Sequence, residues 1–173
     1  MLEVRFHGRG GQGMVTAAQV LAAAAIIEGK YAQAFPEFGP ERRGAPVKAY
    51  LRIADAPIYV REPILRPDVV VVADQSLFKA ENPLEGVKET AVLVVNGVYK
   101  APVRTYYVDA TSLAMKILGR PIVNTALIGA VVKATSIVSL RSVAKALAKF
   151  FSGKLYDLNL KLVEEAYRET REL

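Results

Sequence analysis

Short runs of branched and apolar residues alternate along the chain with longer stretches whose apolar positions recur at helical spacing. That alternation predicts an α/β domain built on a largely parallel sheet. Leu2–Phe6 reads as the first strand, and Met14–Glu28 as a helix that is apolar on nearly every side, with alanines at Ala22 through Ala25. A helix without a solvent face is expected to be covered twice, by the sheet on one flank and by a partner subunit on the other. Gly29 ends it and Tyr31–Phe35 returns as a second strand.

From Pro36 to Pro46 the chain reads PEFGPERRGAP, whose prolines and glycines forbid regular structure and predict a stiff loop. Loops of this length inside a compact domain serve binding or contact. Val47–Ile53 and Pro57–Val60, separated by Ala54, Asp55 and Ala56, read as a β-hairpin. Further strands are expected at Val69–Ala73, at Ala91–Val95 before the Asn96-Gly97 turn, and at Thr105–Val108. Helices follow at Thr111–Leu118, Asn124–Ala134, Ser139–Phe151 and Asp157–Arg171. The last carries Leu158, Leu162 and Ala166 on one stripe. The predicted architecture is one three-layer α/β/α domain over residues 1–173, Rossmann-like, with a mixed, mostly parallel sheet and a hairpin.

Composition narrows the function classes. Of 173 residues 52% are hydrophobic and 23% charged, which places the chain among globular proteins. The longest wholly apolar run of the first helix, Val20–Ile27, is too short to cross a membrane. A strand at the amino terminus leaves nothing of signal-peptide form, so a cytoplasmic location is expected. The net charge of +6 favours anionic partners, yet Lys and Arg are scattered without a dense basic run, which speaks against nucleic acid. With no Cys, the chain has no thiolate for iron–sulfur clusters or zinc, and His7 is its single histidine.

The sharpest local motif is Gly8-Arg9-Gly10-Gly11-Gln12-Gly13, a G-x-G-x-x-G run between the first strand and the first helix. Glycines there allow a tight turn, and bare N–H groups at a helix amino terminus can face a phosphate, with Arg9 adding charge. The alternative is that the glycines only permit a tight crossing or close packing on a neighbouring chain. A dinucleotide site would want an acid about 20 positions on, at the tip of the second strand. The strand ends in Ala34-Phe35 instead, and the nearest acid is Glu37. In the stiff loop, Glu41, Arg42 and Arg43 stand beside Phe35 and Phe38, either to grip a phosphate or carboxylate or as solvated arginines with a local ion pair. Asp74 and Asn124 read as caps and His7 as a structural hydrogen-bonder. No nucleophile–base pair, P-loop or metal cluster is visible.

Taken together, HGRGGQGMVTAAQVLA from His7, YAQAFPEFGPERRGAPVKAYLRI from Tyr31, RPDVVVVAD from Arg66 and PIVNTALIGAVVK from Pro121 closely resemble the gamma subunit of 2-oxoacid:ferredoxin oxidoreductases, above all the pyruvate and 2-oxoisovalerate types. The resemblance implies a multi-subunit enzyme with alpha, beta and delta-type partners. It would decarboxylate a 2-oxoacid on thiamine diphosphate and Mg²⁺, pass electrons through [4Fe-4S] clusters to ferredoxin, and release an acyl-coenzyme A. It further implies that those groups are held mainly by the other subunits, while the gamma domain helps form the coenzyme A side of the cleft. The glycine turn (Gly8, Arg9, Gly10, Gly11, Gln12, Gly13) and the Glu41–Gly44 loop with Arg42 and Arg43 are then the first candidates. Two alternatives stand beside a pyruvate enzyme: specificity for 2-oxoisovalerate or 2-oxoglutarate, and a stand-alone phosphate- or nucleotide-binding module.

Overall fold

The computed structural model describes residues 1–39 and 42–173; Glu41 of the predicted loop lies outside the described residues. The elements in chain order are β1 (Leu2–Arg9), α1 (Met14–Ile27), β2 (Tyr31–Pro36), β3 (Pro46–Ala54), β4 (Val69–Val72), the one-turn α2 (Leu77–Ala80), β5 (Val92–Asn96), β6 (Arg104–Val108), α3 (Ala110–Leu118), α4 (Asn124–Thr135), α5 (Leu140–Leu147), α6 (Gly153–Glu169) and the short β7 (Arg171–Glu172). One seven-stranded sheet runs β2-β3-β1-β4-β5-β6-β7. β1, β4, β5 and β6 pair in parallel, whereas β3 is antiparallel to both β1 and β2, and β7 is antiparallel to β6. The Rossmann-like, mixed, mostly parallel α/β reading therefore holds.

The strands split their side chains between two unlike faces, as the period of two requires. On the first, Val4, Phe6, Leu51, Val69, Val71, Val94 and Val108 join α1, α3, α4, α5 and α6 in one apolar core. Fully burying such a side chain contributes roughly 1.5–3 kcal/mol. α1 lies between β2 and β3 on one side and α5 and α4 on the other, so helices of the same chain supply the second cover that was expected of a partner subunit. α6 packs on the outside of α4, and at Gly129 the two helix backbones touch: a Cβ there would sit 2.2 Å from the Val163 carbonyl oxygen. Asp109 and Ser139 cap α3 and α5 by accepting from the Ser112 and Ser142 amides at 3.0 and 3.1 Å.

On the second face the helical layer is thin. Val70, Val72, Leu93 and Val95 meet Leu77 of α2 and the irregular chain around Leu84, Val87 and Tyr99. The predicted hairpin is corrected here. Pro57–Val60 forms no strand, and β3 takes β2 as its hairpin partner, with Tyr31 opposite Ala54 and Pro36 opposite Ala49. Proline at 57, with no amide to give a ladder, and again at 63 and 67 suits this segment to irregular backbone. The helix read over Ser139–Phe151 ends earlier, at Leu147, and β7 was not foreseen.

Candidate functional site

The two segments singled out in the sequence, the glycine turn and the arginine loop, meet at the carboxyl end of β1. Gly10 donates to the Ala45 carbonyl at 2.8 Å and accepts from the Gly44 amide at 3.1 Å, and it forms a parallel bridge with Arg43. The approach is so close that a Cβ on Gly10 would lie 2.2 Å from the Arg42 carbonyl oxygen. Arg42 and Arg43 are exposed, and Arg43 Cγ would stand 3.9 Å from a Cβ on Gly11. Gly11 adopts φ 95° and Gly13 φ 75°, in the left-handed region that favours glycine.

The predicted residues of the glycine turn each have a definite place. Gly8 lies within β1 beneath α1, where a Cβ would be 2.5 Å from Met14 Cγ, so it serves close helix–strand packing. The Gln12 side-chain oxygen accepts from the Arg9 amide at 2.7 Å, and the Gln12 backbone N–H donates to the Arg9 carbonyl at 3.0 Å, closing the turn. Gly13 precedes α1 and abuts Asn124 of α4; no side chain caps α1 and no acid lies in its first turn. The helix thus turns its first amides and the positive end of its dipole toward the turn.

Arg9 does not serve as loose charge for a ligand. Its guanidinium donates to Ser76 Oγ at 2.8 Å and to the Gly44 carbonyl at 2.9 Å, and it lies 3.5 Å from Asp74. It clasps the glycine turn, the arginine loop and the β4–α2 turn together. Asp74 closes an Asx-type turn by accepting from the Ser76 amide at 2.9 Å. Partial burial opposes ionisation of this carboxyl, but the Ser76 hydrogen bonds and the Arg9 charge prevail and hold it below the usual carboxylate range. Asn124 is the first residue of α4 rather than its cap, and accepts from the Thr125 amide at 2.9 Å.

Beneath this cradle, the second face between β2 and β1 holds a polar network that the sequence did not reveal. Arg5 and Arg52 are 6% and 2% exposed, on strands whose alternation otherwise reads as one wet face. Arg52 donates to Glu3 at 2.9 Å, to Gln33 at 3.0 Å and to the Glu62 carbonyl at 2.6 Å. Arg5 donates to the Ile64, Pro83 and Glu85 carbonyls at 3.1, 3.0 and 2.6 Å, and to His7 Nε2 at 2.9 Å. His7 Nδ1 lies 3.0 Å from Glu81. With Nε2 accepting from Arg5, the ring's single proton sits on Nδ1 and is donated to Glu81. Burial first, then the charges of Arg5 and Lys48, push the imidazole down to about 3, so it is neutral. The signal for this network was the stacking of charged residues at alternate positions of two neighbouring strands.

These features define a Rossmann-like α/β domain with a glycine-turn cradle at the carboxyl edge of its sheet. Residues 3–169 match the pyruvate ferredoxin/flavodoxin oxidoreductase family. The chain is 51% identical to the pyruvate/ketoisovalerate oxidoreductases common subunit gamma of Thermococcus kodakarensis, covering 98% of this chain and 97% of the relative. It is 52% identical to the pyruvate synthase subunit PorC of Methanocaldococcus jannaschii over the same shares. The crystal structure of the pyruvate oxidoreductase subunit PORC from Thermotoga maritima superposes with a TM-score of 0.88 at 39% identity, covering 99% of this chain and 97% of that one. The chain belongs to the pyruvate ferredoxin/flavodoxin oxidoreductase family, as one of its gamma-type subunits. Among the described residues, no helix is long and apolar enough to cross a membrane.

Proposed function

We propose that this chain is the gamma subunit of an oxidoreductase that converts pyruvate and coenzyme A to acetyl-coenzyme A and CO₂ while reducing ferredoxin, working with alpha, beta and delta-type subunits in the cytoplasm. The names of its relatives support the reaction. The observation that carries the site is the docking of the arginine loop on Gly10, which holds the backbone of Arg42 and Arg43 beside the uncapped amino terminus of α1. Exposed guanidinium forks on a tethered backbone, next to the positive end of a helix, are arranged to take a coenzyme A phosphate with little ordering cost. In this role Gly10 and Arg9 position the loop, while Gly11, the first amides of α1, Arg42 and Arg43 face the anion.

Thiamine diphosphate, Mg²⁺ and [4Fe-4S] clusters belong to the partner subunits in this reading. The chain has no cysteine to ligate iron, and the described residues bring no three of His, Cys, Asp and Glu together as ligands.

Replacing Arg42 and Arg43 by Ala in the assembled enzyme tests the site. The coenzyme A KM is expected to rise about ten- to a hundredfold, while the pyruvate KM stays near wild type. An unchanged coenzyme A KM in intact complex, with assembly weakened on size-exclusion chromatography, would instead assign the arginines to a subunit interface.

A further inference from the structure

The two edges of the sheet are finished differently. At one, β7 is two residues long and charged, and Arg104 pairs with Glu172 at 2.7 Å, a combination that discourages further strand pairing. At the other, β2 runs six residues, Tyr31-Ala32-Gln33-Ala34-Phe35-Pro36, without a single charge. The Glu37 amide donates to the Lys48 carbonyl in the β2–β3 register. By the antiparallel rule, Tyr31, Gln33 and Phe35 therefore turn their backbone groups to β3, while Ala32, Ala34 and Pro36 turn theirs to the open edge. β3 is the only strand paired with β2, so the Ala32 and Ala34 amides lie outside the ladder.

We propose that this edge pairs, antiparallel and about a two-fold axis at Gln33, with β2 of a second copy of the chain. The pattern of free groups is self-complementary. In that register Ala32 faces Ala34 of the other copy, and each such pair exchanges both of its backbone hydrogen bonds. Pro36, which has no amide, falls opposite Lys30, whose amide already donates to Ala25 at 3.0 Å, so no extra donor is stranded. Tyr31, 48% exposed, falls opposite Phe35, a cross-strand aromatic pair of the kind that stabilises sheets. The absence of charge in β2 removes the like-charge repulsion that ordinarily opposes a two-fold strand pairing.

Sedimentation of the full chain, with the Ala34→Pro variant as comparison, tests this. The substitution deletes an outward amide and leaves the β2–β3 ladder intact. Wild type is expected to sediment at twice the 18.8 kDa chain mass, and the variant to dimerise at least about tenfold more weakly, because both symmetry-related donors are lost. Amide exchange on the wild type gives a reading that does not depend on the variant folding: the Ala32 and Ala34 amides are expected to become protected as protein concentration rises. A monomeric wild type, or a variant with an intact melting curve that dimerises undiminished, overturns the proposal. So does a chain that is monomeric alone but protected at Ala32 and Ala34 in the assembled oxidoreductase, which would give the edge to another subunit's strand.

Discussion

On the helical face of the sheet, Val4, Phe6, Leu51 and Val71 are held by apolar contact with regular helices; on the opposite face, Arg5, His7 and Arg52 of the same strands hold irregular chain by hydrogen bonds. The difference follows from what each cover can do for its own backbone. A helix satisfies its amides and carbonyls internally and asks of the sheet only a dry surface. The strap between β3 and β4 has no such ladder, so its carbonyls at Val60, Glu62 and Ile64 accept from Gln33, Arg52 and Arg5. Directional donors make irregular chain as well placed as a helix, and they do so at particular atoms.

Phe6→Ala on the helical face is expected to cost roughly 3–5 kcal/mol, measured by urea unfolding, with the loss spread over the whole domain. Arg52→Met on the opposite face is expected to cost roughly 2–3 kcal/mol, because Glu3, Gln33 and the Glu62 carbonyl lose their donor. Its signature is local: limited proteolysis should begin in residues 55–67, whereas Phe6→Ala should be cut at no preferred segment. Equal cleavage patterns would erase the distinction between the faces.

A third expectation uses acid. His7 is neutral in the folded protein at any pH well above 3 but takes up a proton near 6.5 when unfolded, so the unfolded state binds more protons between those values. Stability is therefore expected to fall as pH drops through 6.5, by about 2 kcal/mol between pH 7 and pH 5, and to level off above pH 7. His7→Gln should remove most of that slope; a slope that persists in the variant would place its origin elsewhere. The smallest effect is expected at Gly11→Ala, about 1 kcal/mol from forcing a side chain to φ 95°, since the new Cβ would meet Arg43 Cγ only at an ordinary contact distance of 3.9 Å. A larger loss would mean that the turn resists by packing as well as by backbone strain.

The strands, the long helices and the glycine turn were legible because their periods and punctuation are local: Leu2–Phe6, Met14–Glu28 and Asn124–Ala134 each match an observed element closely. What could not be read was long-range. Pro57–Val60 has the apolar content of a strand, and only the arrival of Gln33 at the Val60 carbonyl, with Arg52 at the neighbouring Glu62 carbonyl, decides that this stretch is held by side chains. Arg9 illustrates the same limit at the site. A basic residue inside a glycine motif reads as a ligand's counter-charge, yet Asp74 and Ser76 of another turn had already taken it. The meeting of Gly10 with Ala45 was equally invisible, although both segments had been named for the same role.

The placement of β7 bears on the order in which the chain matures. Leu173 donates to the Thr105 carbonyl at 2.9 Å and Tyr106 is registered with Glu172, so β6 gains its outer neighbour only when residues 171–173 have left the ribosome. Until then β6 has no outer neighbour, and a bare edge is where non-native strand pairing starts. Synthesis of this protein therefore carries a window of vulnerability that lasts until residues 171–173 are available, and a variant without those three residues would leave the β6 edge permanently bare.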